Sequence, residues 1–239
     1  MLDKFLEFGI ATQDIAAAFD DLRSLGFRAV PVGDVHIHPY AVVSDGTICI
    51  GLNGRDLTSP WLTFVRPGVK DHVRALRRHD IELEFAHLSD DRFHEVGFRD
   101  PSDQLIVLCE ARTFSPPPEA DDFSASVCGE FLEYSVATGS LEDSCAFWHA
   151  LGLTTIAAGE EPHSWARLAG GGLTLGLHQC GLFRPGLSFT ATQLPARIEY
   201  LRVKGHHTKA RTPMATAADA SATLLLSGDL PIYLLEPAS

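Results

Sequence analysis

The chain has 239 residues, of which 45% are hydrophobic and 21% charged, a globular composition that excludes a disordered or fibrous protein. Its 19 Lys and Arg residues against 31 Asp and Glu residues give a formal net charge of -12, which disfavours nucleic acid and anionic membranes as partners. The sequence has neither an apolar run of the roughly 20 residues that cross a bilayer nor a signal-peptide core, so we expect a cytoplasmic protein.

The first half contains two units with the order strand, helix, three strands. The first unit, about residues 4–54, begins with the strand FLEFGIAT (5–12) and a helix capped by Asp14, and it ends with ICIGLNG. The second unit, about 60–112, starts with LTFV at Leu62, continues with the helix VKDHVRALRRHD and ends with ELEFAHL, FHEVGF and QLIVLCEA. Together they predict a first domain over residues 1–112.

Residues 113–127 separate this half from a second copy of it. They contain three consecutive prolines among acidic and Ser residues, a composition typical of a linker. After them, FLEYSVAT (131–138) matches FLEFGIAT at five of eight positions with an offset of 126, and Ser140 takes the place of the helix cap. We expect a second domain over 128–239, with units of about 130–180 and 186–237.

The duplicated pattern resembles the vicinal-oxygen-chelate superfamily, which includes glyoxalase I, extradiol dioxygenases and bleomycin-resistance proteins. The resemblance rests on the four modules, on the LGF and LGL turns at 25–27 and 151–153, and on FRDPSDQLIVLCE (98–110). It implies an α+β fold in which four βαβββ modules pair into two curved mixed β-sheets with helices on the convex side. It also implies that each concave face holds a metal ion or a ligand.

The resemblance further implies four metal-ligand positions per domain, on the first and fourth strands of each module. In the first half these positions fall on Glu7, Cys49, a residue near Trp61, and Val107; in the second half they fall on Glu133, Thr174, Gly186 or Leu187, and Tyr233. A catalytic metal generally needs about three protein donors, so the usual set is incomplete. The candidate metal ligands are Glu7, Cys49, Glu133 and His178, because His178 shares a strand face with Thr174. The cofactor stays open, with a divalent metal as one option, and His36 and His38 could chelate together.

Glu7 and Glu133 are the candidate catalytic residues. Strand alternation places Phe5, Glu7, Gly9 and Ala11 on one face, where the small residues leave room for a ligand. A buried, unpaired carboxylate costs several kcal/mol, so it needs a donor, a metal or a raised pKa, and a raised pKa would suit a general base. The alternative is a hydrogen bond to a strand hydroxyl or a salt bridge to an arginine such as Arg28 or Arg167.

Several aromatic and histidine side chains are candidates for ligand contact. His38 and His163 lie at equivalent places, each two residues before an aromatic residue. The full set of ligand-binding candidates is His38, Tyr40, Trp61, His163, Trp165, His178 and Tyr233. The competing interpretation is ordinary core packing. The five cysteines show no CxxC pattern, and Cys49 is expected to be a buried structural thiol rather than a nucleophile.

Two functional classes follow from these residues and from the resemblance. The first is a glyoxalase-like enzyme with degenerate metal positions, a lyase, isomerase or dioxygenase that acts on a small metabolite in a concave sheet pocket. The alternative is a metal-free protein that binds or sequesters a small molecule, similar to the bleomycin-resistance proteins. A small-molecule partner is expected in both cases, and both a monomer and a homodimer are open.

Overall fold

The computed structural model describes residues 1–32, 38–90, 93–111, 126–181, 184–210, 212, 214, 221–226 and 229–237. These residues form two curved, mixed, eight-stranded sheets and four helices, so the predicted α+β fold is confirmed. Apart from residues 126 and 127, the predicted linker at 113–127 lies outside the described residues.

The two sheets have the same topology. The first comprises β1 (Lys4–Ala11), β2 (Arg28–Val30), β3 (Tyr40–Ser44), β4 (Cys49–Asn53), β5 (Trp61–Arg66), β6 (Leu83–His87), β7 (Glu95–Arg99) and β8 (Leu105–Glu110). The second comprises β9 (Glu130–Ala137), β10 (Thr154–Gly159), β11 (Trp165–Gly170), β12 (Leu173–His178), β13 (Gly186–Thr190), β14 (Thr208–Ala210), β15 (Ser221–Leu225) and β16 (Pro231–Leu235). The spatial orders are β2-β3-β4-β1-β5-β8-β7-β6 and β10-β11-β12-β9-β13-β16-β15-β14. The first strand of each domain therefore lies near the centre of its sheet.

Each module carries one helix of ten residues. The helices are α1 (Ile15–Ser24), α2 (Val69–Arg78), α3 (Leu141–Ala150) and α4 (Leu194–Val203). The predicted caps are confirmed, since Asp14 accepts from the backbone N–H of Ala17 at 2.9 Å and Ser140 accepts from that of Asp143 at 3.2 Å. Of the helices in the described part of the chain, none is long and apolar enough to cross a membrane.

One expected strand face differs from the structure. Between Phe5 and Glu7 the register of β1 against β5 shifts by one residue, so that Leu6 forms a bulge. Phe5 therefore lies in the core against Phe8, with ring centroids 4.7 Å apart, and the expectation that it shares the face of Glu7 is wrong. The register of β9 shifts at the equivalent place, between Phe131 and Glu133.

The two sheets share one hydrophobic core. The rings of Phe8 on β1 and Tyr134 on β9 stack with centroids 5.1 Å apart, and Phe8 also contacts Phe131. Buried side-chain hydrogen bonds also join the halves: among them, Trp148 Nε1–H donates to Asp100 Oδ2, and the Tyr134 hydroxyl donates to Gln104 Oε1. The core faces of β1 and β9 are turned toward each other, so Glu7 and Glu133 lie on the opposite, concave faces.

Candidate functional site

Glu7 and Glu133 occupy equivalent central positions on the two concave faces. Glu7 is 4% exposed and Glu133 is 1% exposed, although both are carboxylates. Each carboxylate lies against a glycine of the parallel neighbouring strand, Gly51 or Gly176, where an added Cβ would overlap its oxygens. A side chain at either place would therefore force the buried acid to move.

In the first domain the buried acid has an uncharged partner. The hydroxyl of Tyr40 on β3 donates to Oε2 of Glu7 at 2.5 Å. Burial raises the pKa of Glu7 to about 7, and the Tyr40 hydrogen bond offsets only part of this rise. A strand hydroxyl was the expected alternative to a functional role for Glu7, and Tyr40 supplies it. The carboxyl group of Glu7 nevertheless titrates near neutral pH.

The space that small residues leave on the first concave face is filled by the protein itself. The Trp61 ring lies against Gly9, is 2% exposed, and donates through Nε1–H to the Thr63 hydroxyl at 3.1 Å. It packs with Leu105 and Val107 in a separate apolar cluster. Trp61 is therefore a packing residue here, and the face has no room for a ligand over Gly9.

The thiol of Cys49 lies on the same face as Glu7. It is buried, and burial raises its pKa to about 11, with the charge of Glu7 as a smaller cause in the same direction. A thiol that stays protonated at neutral pH is a poor nucleophile and a poor metal ligand. These properties match the structural thiol expected for Cys49.

In the second domain the equivalent acid is held by a cation and two further donors. Arg167 Nε on β11 donates to Oε2 of Glu133 at 2.5 Å. Oε1 accepts from the Ser135 hydroxyl at 3.0 Å and lies 2.6 Å from His178 Nε2 on β12. Burial by itself would raise the pKa of Glu133, but His178 and Arg167 together hold it below its ordinary value. Glu133 is thus an ionised carboxylate with a guanidinium partner.

Histidine side chains extend this cluster toward the surface. His163 Nε2 lies 3.1 Å from His178 Nδ1, and the two rings meet edge to face. Burial, and then the neighbouring His178, lowers the pKa of His163. The half-exposed Trp165 ring lies beside Arg167, whose guanidinium carbon is 5.5 Å from the ring centroid. The accessible part of the cluster is therefore formed by His163, Trp165 and Arg167.

The strand register places a hydroxyl residue opposite each buried acid. Thr63 on β5, two residues from Trp61, is the partner of Glu7, and Ser188 on β13 is the partner of Glu133. Ser188 lies beside Tyr233 on β16, and its hydroxyl is 2.6 Å from that of Ser135. Both hydroxyl residues face the buried acid of their own domain.

The donor sets do not fit the catalytic metal that the superfamily implies. Among the described residues, no group of three or more His, Cys, Asp or Glu side chains is arranged to hold an ion. In the second domain Glu133 and His178 are brought together, but Arg167 already neutralises the carboxylate, and Ser188 and Tyr233 stand at the remaining positions. A guanidinium beside the carboxylate opposes the approach of a divalent cation.

The remaining candidates are distributed over both domains. His38 is exposed, and Tyr233 is 2% exposed with its hydroxyl donating to the backbone oxygen of Arg184 at 2.5 Å. His36 lies outside the described residues. The sequence reasoning did not select Ser188 as a site residue, although an alignment of LTFV with LSFT at an offset of 125 places it on Thr63.

Comparison with known proteins gives a structural relationship only. No family model and no curated protein matches the sequence. A catechol 2,3-dioxygenase structure matches all of this chain and 90% of its own, with a TM-score of 0.61 and 12% identity.

The 2,3-dioxygenase LapB from Pseudomonas sp. KL28 matches all of this chain and 93% of its own, with a TM-score of 0.64 and 10% identity. An extradiol ring-cleaving dioxygenase from B. fuscum has a TM-score of 0.64 and 11% identity over all of this chain and 72% of its own. Identities this low establish a shared fold and not a shared activity. The chain therefore has the vicinal-oxygen-chelate fold in two tandem domains, which it shares with these extradiol dioxygenases.

Proposed function

We propose that the protein binds a small organic molecule at the concave face of its second sheet and does so without a metal ion. The observation that carries this proposal is the ion pair between Glu133 and Arg167. Glu133 stands at the superfamily's first metal-ligand position, and the guanidinium of Arg167 already balances its negative charge. This arrangement supports the metal-free alternative more than a metal-assisted lyase or dioxygenase.

The chemistry of the ligand is suggested by the accessible side chains. Within the described residues, Arg167 donates a hydrogen bond only through Nε, so its two Nη groups are available to oxygen atoms of a ligand. The half-exposed Trp165 ring offers an apolar surface beside them. A flat or aromatic molecule with a carboxylate or carbonyl oxygen would satisfy both features.

The second domain is a better candidate for this role than the first. In the first domain Trp61 fills the face over Gly9, and Glu7 has an uncharged partner. The position equivalent to Arg167, at an offset of 125, is Val42. At these described positions the first domain has neither open space over Gly9 nor an arginine equivalent to Arg167, and we propose that it serves mainly as a structural partner.

A direct test combines metal analysis with a ligand screen. Untagged protein purified without a chelator is expected to contain iron, manganese, nickel and zinc far below stoichiometry, and adding these ions should not raise its melting temperature. A thermal-shift screen of aromatic carboxylic acids should then give ligands whose effect is lost in Arg167→Met. Phe85→Leu in the first domain is the matched control and should retain the effect. A tightly held stoichiometric metal would contradict the proposal.

A further inference from the structure

A groove on the outer side of α2 is lined by arginine side chains. It has a volume of about 460 Å³, and its lining includes Arg66, Arg74 and Arg78. The opposite side of α2 packs into the hydrophobic core through Val69 and other apolar residues. The groove is therefore separate from the concave face of the first sheet.

Three exposed arginines of α2 have no carboxylate partner in the described part of the chain. Arg74, Arg77 and Arg78 form neither an ion pair nor a side-chain hydrogen bond with a described residue. Arginines elsewhere do form ion pairs, namely Arg23, Arg55, Arg99, Arg167, Arg184 and Arg202. Arg77 and Arg78 lie in the last turn, where a cation stabilises the helix end, but Arg74 lies in the middle of the helix. In a chain with a net charge of -12, this cluster favours an anion from outside the protein.

Arg66 is held in the lining by backbone oxygens. Its Nε donates to the backbone oxygen of Pro67 at 3.3 Å, and its Nη1 donates to that of Met1 at 2.7 Å. These bonds bring no negative charge, and they leave Nη2 without a partner among the described residues. Because the guanidinium is already held, it loses little conformational freedom when it binds an anion. Arg74 and Arg78 are four residues apart and so lie on one face of α2.

The backbone amides at the start of α2 are not available to a ligand. The N–H groups of Gly68 and Val69 donate to Oε1 and Oε2 of Glu110, both at 3.1 Å. Glu110 thus satisfies the helix end from within the protein. Among the described residues that line the groove, Asp71 is the one carboxylate, against three guanidinium groups. Any attraction of an anion to the groove must therefore come from the arginine side chains.

The second domain shows that the fold does not need these arginines. Its equivalent helix, α4, begins 125 positions after α2. At this offset the residues that replace Arg66, Arg74 and Arg78 are Ala191, Glu199 and Val203. The duplicated backbone therefore forms the same helix without a cationic groove, and the arginines of α2 are not explained by folding.

We propose that the groove lined by Arg66, Arg74 and Arg78 binds a small molecule that carries a phosphate group. A phosphate group has close to two negative charges at pH 7 and three acceptor oxygens, and guanidinium groups donate to such oxygens in pairs. The volume of the groove lies in the range of small-molecule sites, so it accommodates more than the phosphate alone. The proposal is independent of the function proposed for the second sheet, because neither Glu133 nor Arg167 takes part in it.

The test is calorimetric titration of the full chain with inorganic pyrophosphate, in metal-free buffer at fixed ionic strength. Wild-type protein should bind the probe at one site. Arg74→Gln and Arg78→Gln should each raise the dissociation constant about tenfold, because each removes a charge-assisted hydrogen bond. Arg77→Gln is the matched control, since it removes the same charge from the same helix but does not line this groove. It should bind as wild type. All three side chains are exposed, so the variants should keep the wild-type melting temperature.

Each other outcome contradicts the proposal. An equal loss of affinity in Arg77→Gln would show that net charge attracts the probe and that the groove does not. Wild-type affinity in the double variant Arg74→Gln/Arg78→Gln would place the anion elsewhere on the protein. Citrate that binds as tightly as pyrophosphate would overturn the phosphate class of ligand, and no measurable binding of pyrophosphate would overturn the site itself.

Discussion

Arg167 donates from Nε to the buried carboxylate of Glu133 at a distance of 2.5 Å, and this ion pair distinguishes the two halves of a duplicated chain. The equivalent carboxylate, Glu7, accepts instead from the neutral hydroxyl of Tyr40. The same backbone therefore holds one ionised acid and one acid that titrates near neutral pH. This difference between Glu7 and Glu133 can be measured as a difference in the free energy of unfolding of variants at the two positions.

Breaking the Glu133–Arg167 pair should destabilise the protein more than replacing both members. Glu133→Gln and Arg167→Met should each lower the free energy of unfolding by about 3 kcal/mol, because each leaves one charge of a partly or fully buried pair without its partner. The double variant should lose less than the sum, with a coupling of about 1–3 kcal/mol in urea denaturation. Strictly additive losses would show that the two side chains do not interact.

The pH dependence of stability should have opposite signs for the two acids. The folded-state pKa of Glu7 is raised from 4.5 to about 7, so its contribution to stability is full below pH 4.5 and is lost as the pH rises through 7. The shift corresponds to about 3 kcal/mol. Between pH 5 and pH 8, Glu7→Gln should therefore gain stability relative to wild type.

Glu133 provides the matched comparison for this pH experiment. Its folded-state pKa is lowered, so its contribution is present above its unfolded-state value and is lost as the pH falls. Glu133→Gln should therefore be most destabilised at pH 8 relative to wild type. The same pH trend in both variants would contradict the assignment of opposite environments.

Glycine at position 176 should be required for the buried acid. In Gly176→Ala the new Cβ would overlap the carboxylate of Glu133, and we expect a loss of about 1–3 kcal/mol together with a weakened contact to His178. Gly139→Ala is the control, since an added Cβ there meets no atom within 4 Å among the described residues. Thermal unfolding that is equally altered in the two variants would argue against the steric explanation.

Removal of Trp61 should show that the first concave face is a packed core. Trp61→Ala should lower the free energy of unfolding by about 3–5 kcal/mol, because the ring is almost fully buried against Gly9. Trp165→Ala should cause a smaller loss, since this ring is half-exposed. Calorimetry of both variants distinguishes a structural tryptophan from an accessible one.

The repeat made the fold predictable, whereas the contacts of the site were predictable only in part. FLEFGIAT and FLEYSVAT identify the central strand of each sheet, and helix caps at Asp14 and Ser140 follow from local hydrogen bonding. The bulge at Leu6 was not predictable from alternation, because an apolar residue suits either face of a strand until its pairing is known.

The convergence of Arg167 and His178 on Glu133 depends on register. These side chains come from β11 and β12, and their distance from β9 follows from long-range pairing that no local pattern encodes. The sequence offered Arg167 as a salt-bridge partner and His178 as a metal ligand. The structure places both on the same carboxylate, which is the reason why neither interpretation alone described the cluster.

The stacking of Phe8 against Tyr134 has a consequence for synthesis of the chain on the ribosome. Phe8 is made more than a hundred residues before Tyr134, so the part of its ring that Tyr134 covers lacks this contact while the second half is translated. An apolar surface left open for that time invites association with other nascent chains. We therefore expect the yield of folded protein in a cell to respond to the rate of elongation and to the chaperones present while the second half is made.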